Sequence, residues 1–293
     1  MPTTSLPSRS IGSARVSAIG LGAMPFSVMG YDVPEARAIA TVHAALDAGV
    51  TLIDTADAYT PDPALMGHNE RLVAKALRQY GGDTGDVVVA TKGGHTRLPD
   101  GSWGRTGRPD YIREACERSL RALGVDVIDL YQHHRPDPEV PYAETIGAFR
   151  ELYDAGKVRM VGISNADLEQ IQQAEQILGD ALVSVQNQLS PKFRSSEGEL
   201  DYCSQRGIAF LPWSPLGGMS EAGELGDRFG AFAAVAQDKG VTPQQVCLAW
   251  LLAKSPVLIP IPGCSRPETV RSSAAAAAIE LTDDDVKRLD ATG

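Results

Sequence analysis

The chain has 293 residues, of which 43% are hydrophobic and 22% are charged, a composition typical of a folded globular protein. Its formal net charge of −10 argues against nucleic acid or an anionic membrane as the main partner, because both need a basic face. The first residues lack the apolar stretch of a signal peptide, and no segment approaches a membrane span, so a cytoplasmic protein is predicted. The four cysteines form no C-x-x-C pair, so no metal site is expected.

Short runs rich in Val and Ile alternate along the chain with longer segments of helical spacing. A small hairpin with a turn at Gly12 and Ser13 is predicted first. Strands are then predicted at 17–22, 51–55, 87–91, 127–132, 159–164, 182–186, 208–213 and 257–261. Helices are predicted at 35–48, 69–79, 110–122, 143–154 and 243–253, and the alanine-rich run 272–279 is also typical of a helix.

Eight βα units in a chain of this length predict a (β/α)8 TIM barrel, with the N-terminal β-hairpin at the bottom of the barrel. An open doubly wound sheet is the competing fold. Against it, the first strand is followed by "GLGAMPFSVMG", which offers Gly20 and Gly22 but not the third glycine of a dinucleotide-binding loop. No composition shift marks a domain boundary, so residues 1–293 are predicted to form a single barrel domain.

The active site of a TIM barrel lies at the C-terminal ends of its strands, so polar residues just beyond each strand are the candidates. Asp54 ends the second predicted strand, and Tyr59 follows five positions later. Lys92 follows the third strand, and His133 and His134 follow the fourth. The later strands are followed by Ser164 and Asn165, by Gln186, by Trp213 and by Arg266. Polar groups from several strands are therefore expected to converge on one rim.

The combination of Tyr59, Lys92 and a histidine indicates a catalytic group that can donate a proton. A free tyrosine has a pKa of about 10, and an adjacent ammonium is expected to lower it by favouring the phenolate. Asp54 can hold that ammonium in place. The histidine can hydrogen-bond a substrate carbonyl oxygen beside Tyr59 and stabilise the charge that develops there. These roles are those of carbonyl reduction by hydride.

The sequence resembles the aldo-keto reductases over nearly the whole chain. The resemblance is carried, in the family's order, by "GLGAM", "LIDTADAY", "VVVATKGG", "DLYQHHRPD", "VRMVGISN", "VQNQLSP", "PWSPLGG" and "IPIPGCSRPE". By position it implies a catalytic tetrad of Asp54, Tyr59, Lys92 and His134. His134 matches rather than His133 because it directly precedes Arg and Pro, which leaves His133 as a structural, hydrogen-bonding residue that faces away from the site.

The same resemblance implies that NADP(H) binds in a groove at the strand ends. Ser164, Asn165 and Gln186 would hold the nicotinamide carboxamide, and Trp213, where many members have Tyr, would stack on the nicotinamide ring. The pyrophosphate would lie against the loop Ser214, Pro215, Leu216, Gly217 and Gly218, and further cofactor contacts would come from Gly22, Ala23, Met24 and Gly263.

The adenosine end of the cofactor decides between NADPH and NADH. The resemblance places the 2′-phosphate near Ser265 and Arg266, which favours NADPH because a guanidinium binds phosphate well. Ser272 and Ser273 stand where the family usually has Glu and then Asn against adenine, and their shorter side chains predict weaker overall cofactor binding than is usual in the family.

The predicted activity is NADPH-dependent reduction of an aldehyde or ketone to an alcohol, or the reverse oxidation, with the proton from Tyr59. Two alternatives stay open: a cofactor-sensing regulatory subunit, like the potassium-channel beta subunits that the family also resembles, and a Schiff-base aldolase that uses Lys92.

Substrate specificity is expected to come from the loops at 24–30, 93–109 with Trp103, and 217–229. Their aromatic and apolar residues indicate a small, partly apolar carbonyl compound. His95, in the second of these loops, has no metal-ligand spacing and is expected to be a surface or loop residue.

Overall fold

The computed structural model describes residues 6–28, 33–218 and 221–292. Of the predicted specificity loops, positions 29 and 30 and positions 219 and 220 lie outside these residues. The chain begins with an antiparallel hairpin of β1 (Ser8–Ile11) and β2 (Ala14–Ser17). Its turn contains Gly12 in the left-handed conformation, with φ of 54°, as the sequence predicted. Ile11 and Val16 are buried in one cluster with residues of the barrel strands, so the hairpin closes the bottom of the barrel.

Parallel strands form the centre of the fold. The remaining strands are β3 (Leu21–Gly22), β4 (Leu52–Asp54), β5 (Val88–Gly93), β6 (His95–Arg97), β7 (Trp103–Arg105), β8 (Ile128–His133), β9 (Val158–Ser164), β10 (Leu182–Gln186) and β11 (Ala209–Phe210). Seven of them make one parallel sheet in the order β11-β10-β9-β8-β5-β4-β3, while β6 and β7 pair separately as an antiparallel hairpin.

The segment 257–263 occupies the eighth barrel position and joins the two edges of the sheet. Its main chain bridges to Phe210 on one side and to Gly22 on the other. Pro260 and Pro262 accept hydrogen bonds of 2.9 and 3.0 Å from the main chain at the start of the barrel, but they have no N–H to donate in return. The predicted eighth strand is therefore a pair of bridges rather than a regular strand, and the barrel still closes.

Helices pack around the outside of this sheet. They are α1 (Glu35–Asp47), α2 (His68–Gln79), α3 (Pro109–Leu123), α4 (Tyr142–Asp154), α5 (Leu168–Leu178), α6 (Glu197–Arg206), α7 (Leu225–Arg228), α8 (Gly230–Lys239), α9 (Pro243–Lys254), α10 (Pro267–Ala275) and α11 (Asp283–Asp290). The five helices predicted between strands agree with α1, α2, α3, α4 and α9 to within one residue at each end. Within the described ranges, no helix combines the length and the apolar character needed to cross a membrane.

Candidate functional site

Three of the predicted catalytic residues meet in one buried hydrogen-bond cluster at the ends of β4 and β5. The Nζ ammonium of Lys92 donates to Oδ2 of Asp54 at 2.6 Å, to the main-chain oxygen of Thr55 at 2.9 Å and to the hydroxyl of Tyr59 at 3.2 Å. The Lys92 side chain is completely buried. Because these three bonds use all the donors of the ammonium, Lys92 is fixed beside the hydroxyl of Tyr59.

Two amide side chains hold the carboxylate of Asp54 from the opposite side. Nε2 of Gln186, at the end of β10, donates to Oδ1 of Asp54 at 2.8 Å, and Nε2 of Gln132, on β8, donates to the same oxygen at 3.3 Å. Asp54 is only 4% exposed, so these donors replace the water that a carboxylate would otherwise need. Gln132 was not among the sequence candidates.

Burial and charge act in opposite directions on the two proton-exchanging groups. Burial lowers the pKa of Lys92, but the Asp54 carboxylate and the Tyr59 hydroxyl outweigh it, and the net pKa is raised. Burial raises the pKa of Tyr59, and the nearby charge of Lys92 opposes this only in part. The expected lowering of the Tyr59 pKa is therefore wrong. At neutral pH the phenol keeps its proton, which is the state that a proton donor requires.

His134 lies next to Tyr59, with ring centroids 5.6 Å apart and ring planes 80° apart. Burial, reinforced by neighbouring cationic side chains, lowers the pKa of His134 well below its ordinary value, so the ring is neutral. A neutral imidazole can donate a hydrogen bond to a carbonyl oxygen. His133 points the other way and packs near Tyr142 and Phe149. Neither of its ring nitrogens has a hydrogen-bond partner among the described residues.

A cavity of about 900 Å³ opens at the C-terminal ends of the strands, and Tyr59 and His134 line it. Most of the predicted cofactor residues line the same cavity: Gly22, Met24, Ser164, Asn165, Gln186, Trp213, Ser214, Pro215, Leu216, Gly218, Gly263, Ser265 and Arg266. Ala23 and Gly217 do not line it directly. These residues are distributed over most of the chain, and closure of the barrel brings them together.

The chemistry of this groove fits a ligand that carries phosphate groups. Arg266 is exposed, and its side chain makes no hydrogen bond or ion pair with any described residue, so its guanidinium is available. Gly217 and Gly218 have φ of 93° and 124°, and a Cβ built on Gly218 would meet nothing within 4 Å. Such open, left-handed backbone lets a bulky anion approach the main chain. These residues could therefore hold the phosphates of a dinucleotide.

Two residues of the groove have strained backbone. Among the described residues, the non-glycine positions with positive φ are Asn165, at 57°, and Ser214, at 48°. The Asn165 amide donates to the main-chain oxygen of His134 and to Oγ of Ser164, both at 2.9 Å, and its own oxygen accepts from Arg135 at 3.1 Å. Strained backbone that the surroundings hold in place is typical of functional sites.

The β6–β7 hairpin brings further residues over Tyr59 that the sequence reasoning missed or misjudged. The His95 ring lies 4.2 Å from that of His134, and His95 lines the cavity, a position that its prediction as a surface or loop residue did not include. Burial, followed by the charge of Arg135, lowers the pKa of His95 to about 4. The Trp103 ring lies edge-on to Tyr59, with ring centroids 6.5 Å apart.

The two serines expected near adenine differ in accessibility. Ser273 is buried on α10, where its hydroxyl faces the thiol of Cys264 at 3.9 Å, and it cannot reach a ligand in the groove. Ser272 is partly exposed, and its main-chain oxygen accepts a hydrogen bond of 3.1 Å from Gln245. At most one of these hydroxyls is available to a cofactor.

Comparison with known proteins defines the class: the protein is an NAD(P)H-dependent oxidoreductase built on a TIM barrel. The model of the aldo/keto reductase family matches residues 18–293. The chain belongs to the aldo/keto reductase family.

Its relatives include enzymes of known structure. The chain is 36% identical over 288 residues to an uncharacterized oxidoreductase of Schizosaccharomyces pombe, covering 97% of this chain and 89% of the relative. A glycerol dehydrogenase of Gluconobacter oxydans superimposes with a TM-score of 0.82 at 26% identity, over 100% of this chain and 95% of the other. An aldo/keto reductase of Klebsiella pneumoniae in complex with NADP and acetate superimposes with a TM-score of 0.79 at 30% identity, over 98% and 95%.

Proposed function

We propose that the protein reduces an aldehyde or ketone to an alcohol with NADPH, or catalyses the reverse oxidation, and that Tyr59 donates the proton. The observation that carries this proposal is the hydrogen bond from the Lys92 ammonium to the Tyr59 hydroxyl, at 3.2 Å, in a buried cluster. Because the hydroxyl accepts from Lys92, its own proton is free to point into the cavity that Tyr59 lines. A carbonyl oxygen in that cavity would receive it.

Each residue of the tetrad has its own role in the proton transfer. Tyr59 gives its proton to the carbonyl oxygen, and the neutral imidazole of His134 donates a hydrogen bond to the same oxygen and orients it. Lys92 stabilises the phenolate that remains on Tyr59, and Asp54 keeps Lys92 charged and in place. The nicotinamide cofactor supplies the hydride. Burial of the cluster keeps water from competing for these hydrogen bonds.

The cofactor groove is proposed to hold NADPH by the residues that the family resemblance implies. Ser164, Asn165 and Gln186 would hold the carboxamide, and Trp213 would stack on the ring. Arg266 and its neighbour Ser265 would bind the 2′-phosphate, a role supported by the lack of any hydrogen bond or ion pair between the side chain of Arg266 and the other described residues. The relative from Klebsiella pneumoniae, whose structure contains NADP, supports the same choice.

The Schiff-base alternative is disfavoured by the state of Lys92. An amine must lose its proton before it can attack a carbonyl carbon. The pKa of Lys92 is raised by Asp54 and Tyr59 despite its burial, and all three of its donors are engaged. The regulatory alternative predicts little or no turnover, so the activity assay distinguishes it.

The test is NADPH consumption over a panel of aldehydes, ketones, sugars and pyridoxal, with Tyr59→Phe as the matched variant. This substitution removes only the hydroxyl and keeps the ring that packs beside His134. Turnover by the wild type that falls by ~100-fold or more in the variant supports the proposal, because general acid catalysis contributes on that scale. No turnover of any carbonyl compound, or equal turnover by both proteins, would contradict it.

A further inference from the structure

We infer that the substrate carries an oxyanion, a carboxylate or a phosphate, in addition to its carbonyl group, and that Arg105 and Arg135 bind this oxyanion. The inference rests on the proposed function of the same site and specifies its substrate class. It is carried by two guanidinium groups that line the cavity beside the proposed proton donor and have no carboxylate partner among the described residues.

Arg105 is the more exposed of the two groups. It lies on β7, directly opposite His95 in the register of the hairpin, and it lines the cavity. Its side chain makes no hydrogen bond or ion pair with any described residue. Arg108, only three positions along the chain, pairs instead with Asp110. The guanidinium of Arg105 is therefore available to a ligand.

Arg135 directly follows His134 and is half-buried at the cavity wall. Its Nε donates to Nε2 of His95 at 3.2 Å, and its Nη2 donates to Oδ1 of Asn165 at 3.1 Å. Both acceptors are neutral, so the positive charge of Arg135 is not balanced by them. A half-buried guanidinium without a counter-ion is costly, and an anionic ligand would offset that cost.

The charge of the cavity differs from that of the whole protein. The chain as a whole has a formal charge of −10. In the described part of the chain, the only acidic side chain that lines the cavity is Asp54, and Lys92 neutralises it at 2.6 Å. The side of the cavity formed by the hairpin is therefore cationic. Such a site attracts anionic ligands and discriminates against cations.

Both arginines line the same cavity as Tyr59 and His134. Arg135 contacts His95, and the His95 ring lies 4.2 Å from that of His134. Trp103, on the same hairpin as Arg105, lies 6.5 Å from Tyr59. A small molecule can therefore place its carbonyl oxygen at Tyr59 and His134 and its oxyanion at the two guanidinium groups. The Trp103 ring offers an apolar surface to the body of such a molecule.

The test compares matched aldehydes that differ in charge. 4-Formylbenzoate carries a carboxylate, 4-formylphenyl phosphate carries a phosphate, and 4-methylbenzaldehyde carries no charge. For the wild type, kcat/KM should be at least ~10-fold higher for one of the anions than for the neutral aldehyde. Arg105→Met should reduce that ratio by ~10- to 100-fold, the scale of a charge-assisted bidentate contact. Arg108→Met, which removes the same charge nearby but outside the cavity, should leave the ratio unchanged.

A binding measurement separates failure of the inference from failure of the proposed function. Isothermal titration with 4-(hydroxymethyl)benzoate and with benzyl alcohol, with and without NADP⁺, needs no turnover. Preferential binding of the benzoate that is lost in Arg105→Met supports the oxyanion site. Equal kcat/KM for charged and neutral aldehydes would overturn the inference and leave the carbonyl reductase intact. Absence of turnover with every aldehyde would overturn the proposed function. If 4-(hydroxymethyl)benzoate also fails to bind, the inference is overturned as well. If Arg105→Met weakens NADPH binding instead, the arginine serves the cofactor and the inference is wrong.

Discussion

Replacing Lys92 by Met removes the charge at the centre of the proposed site and leaves a side chain of similar length. The substitution deletes the hydrogen bonds of 2.6 Å to Asp54, 2.9 Å to Thr55 and 3.2 Å to Tyr59. Asp54 is then a buried carboxylate without a cationic partner, and Tyr59 loses the charge that opposes the rise of its pKa. We therefore expect both the free energy of unfolding and the activity to fall.

The size of the stability loss follows from what remains around Asp54. Removing one partner of a buried ion pair costs about 3–5 kcal/mol. Gln186 and Gln132 still donate to Oδ1 of Asp54 at 2.8 and 3.3 Å, so the lower end of that range, about 3 kcal/mol, is expected. For a chain of this size that is a decrease in melting temperature of about 6 °C. Activity should fall by at least ~100-fold, because the phenolate loses its stabilising charge.

The assay combines thermal unfolding with NADPH consumption, and two further variants control it. Lys75→Met removes a half-exposed lysine that pairs with Glu35 on the surface, and it should change stability by no more than ~0.5 kcal/mol. The double variant Lys92→Met with Asp54→Asn removes the stranded charge, so it should recover stability but not activity. An active Lys92→Met protein with an unchanged melting curve would contradict both the stabilising ion pair with Asp54 and the proposed role of Lys92 beside Tyr59.

Three further results are expected. Tyr59→Phe should lower turnover by ~100-fold or more and barely change the Kd of NADPH, and a near wild-type rate would show that Tyr59 is not the donor. Arg266→Ala should weaken NADPH binding by ~10- to 100-fold in a tryptophan-fluorescence titration and leave NADH nearly unaffected, whereas equal losses would contradict the 2′-phosphate contact. The free energy of unfolding should decrease as the pH falls from about 6.5 to about 4, because the pKa of His95 is lowered to about 4 and the unfolded chain takes up its proton first. Urea unfolding at pH 7 and pH 4.5 should show a smaller decrease in the free energy of unfolding for His95→Gln than for the wild type. An identical decrease in both proteins would show that His95 is not the source of this pH dependence.

Much of the barrel could be predicted because most of its strands are short segments rich in buried apolar residues. β5 and β10, for example, are parallel strands with nearly every residue buried, and both begin with consecutive apolar residues. The eighth strand was predicted in position but not in regularity, because alternating prolines remove the donors that a ladder needs. The hydrophobic pattern of a segment indicates whether it is buried, whereas its main-chain hydrogen bonds decide whether it forms a regular strand.

The part of the site that could not be predicted depends on long-range contacts. The bonds from Gln132 and Gln186 to Asp54 join residues 78 and 132 positions apart, and no local pattern marks such pairs. The β6–β7 hairpin consists of strands of three residues each, too short for an alternating pattern to be recognised. It nevertheless places His95 and Arg105 at the cavity. Loops of this kind carry specificity in a barrel, so the segment that is hardest to predict is the one that we expect to select the substrate.

The pKa of Tyr59 shows that nearby charges alone predict the wrong direction of a pKa shift when the effect of burial is left out. The ammonium of Lys92, 3.2 Å away, favours the phenolate, and this attraction by itself predicts a lowered pKa. The same closure of the barrel that brings Lys92 to Tyr59 also removes both from water, and desolvation of the phenolate outweighs the charge. Lys92 therefore limits the rise of the pKa rather than reversing it. The phenol is the stable form at neutral pH, which suits donation to a carbonyl, whereas abstraction of an alcohol proton needs the phenolate and hence a higher pH.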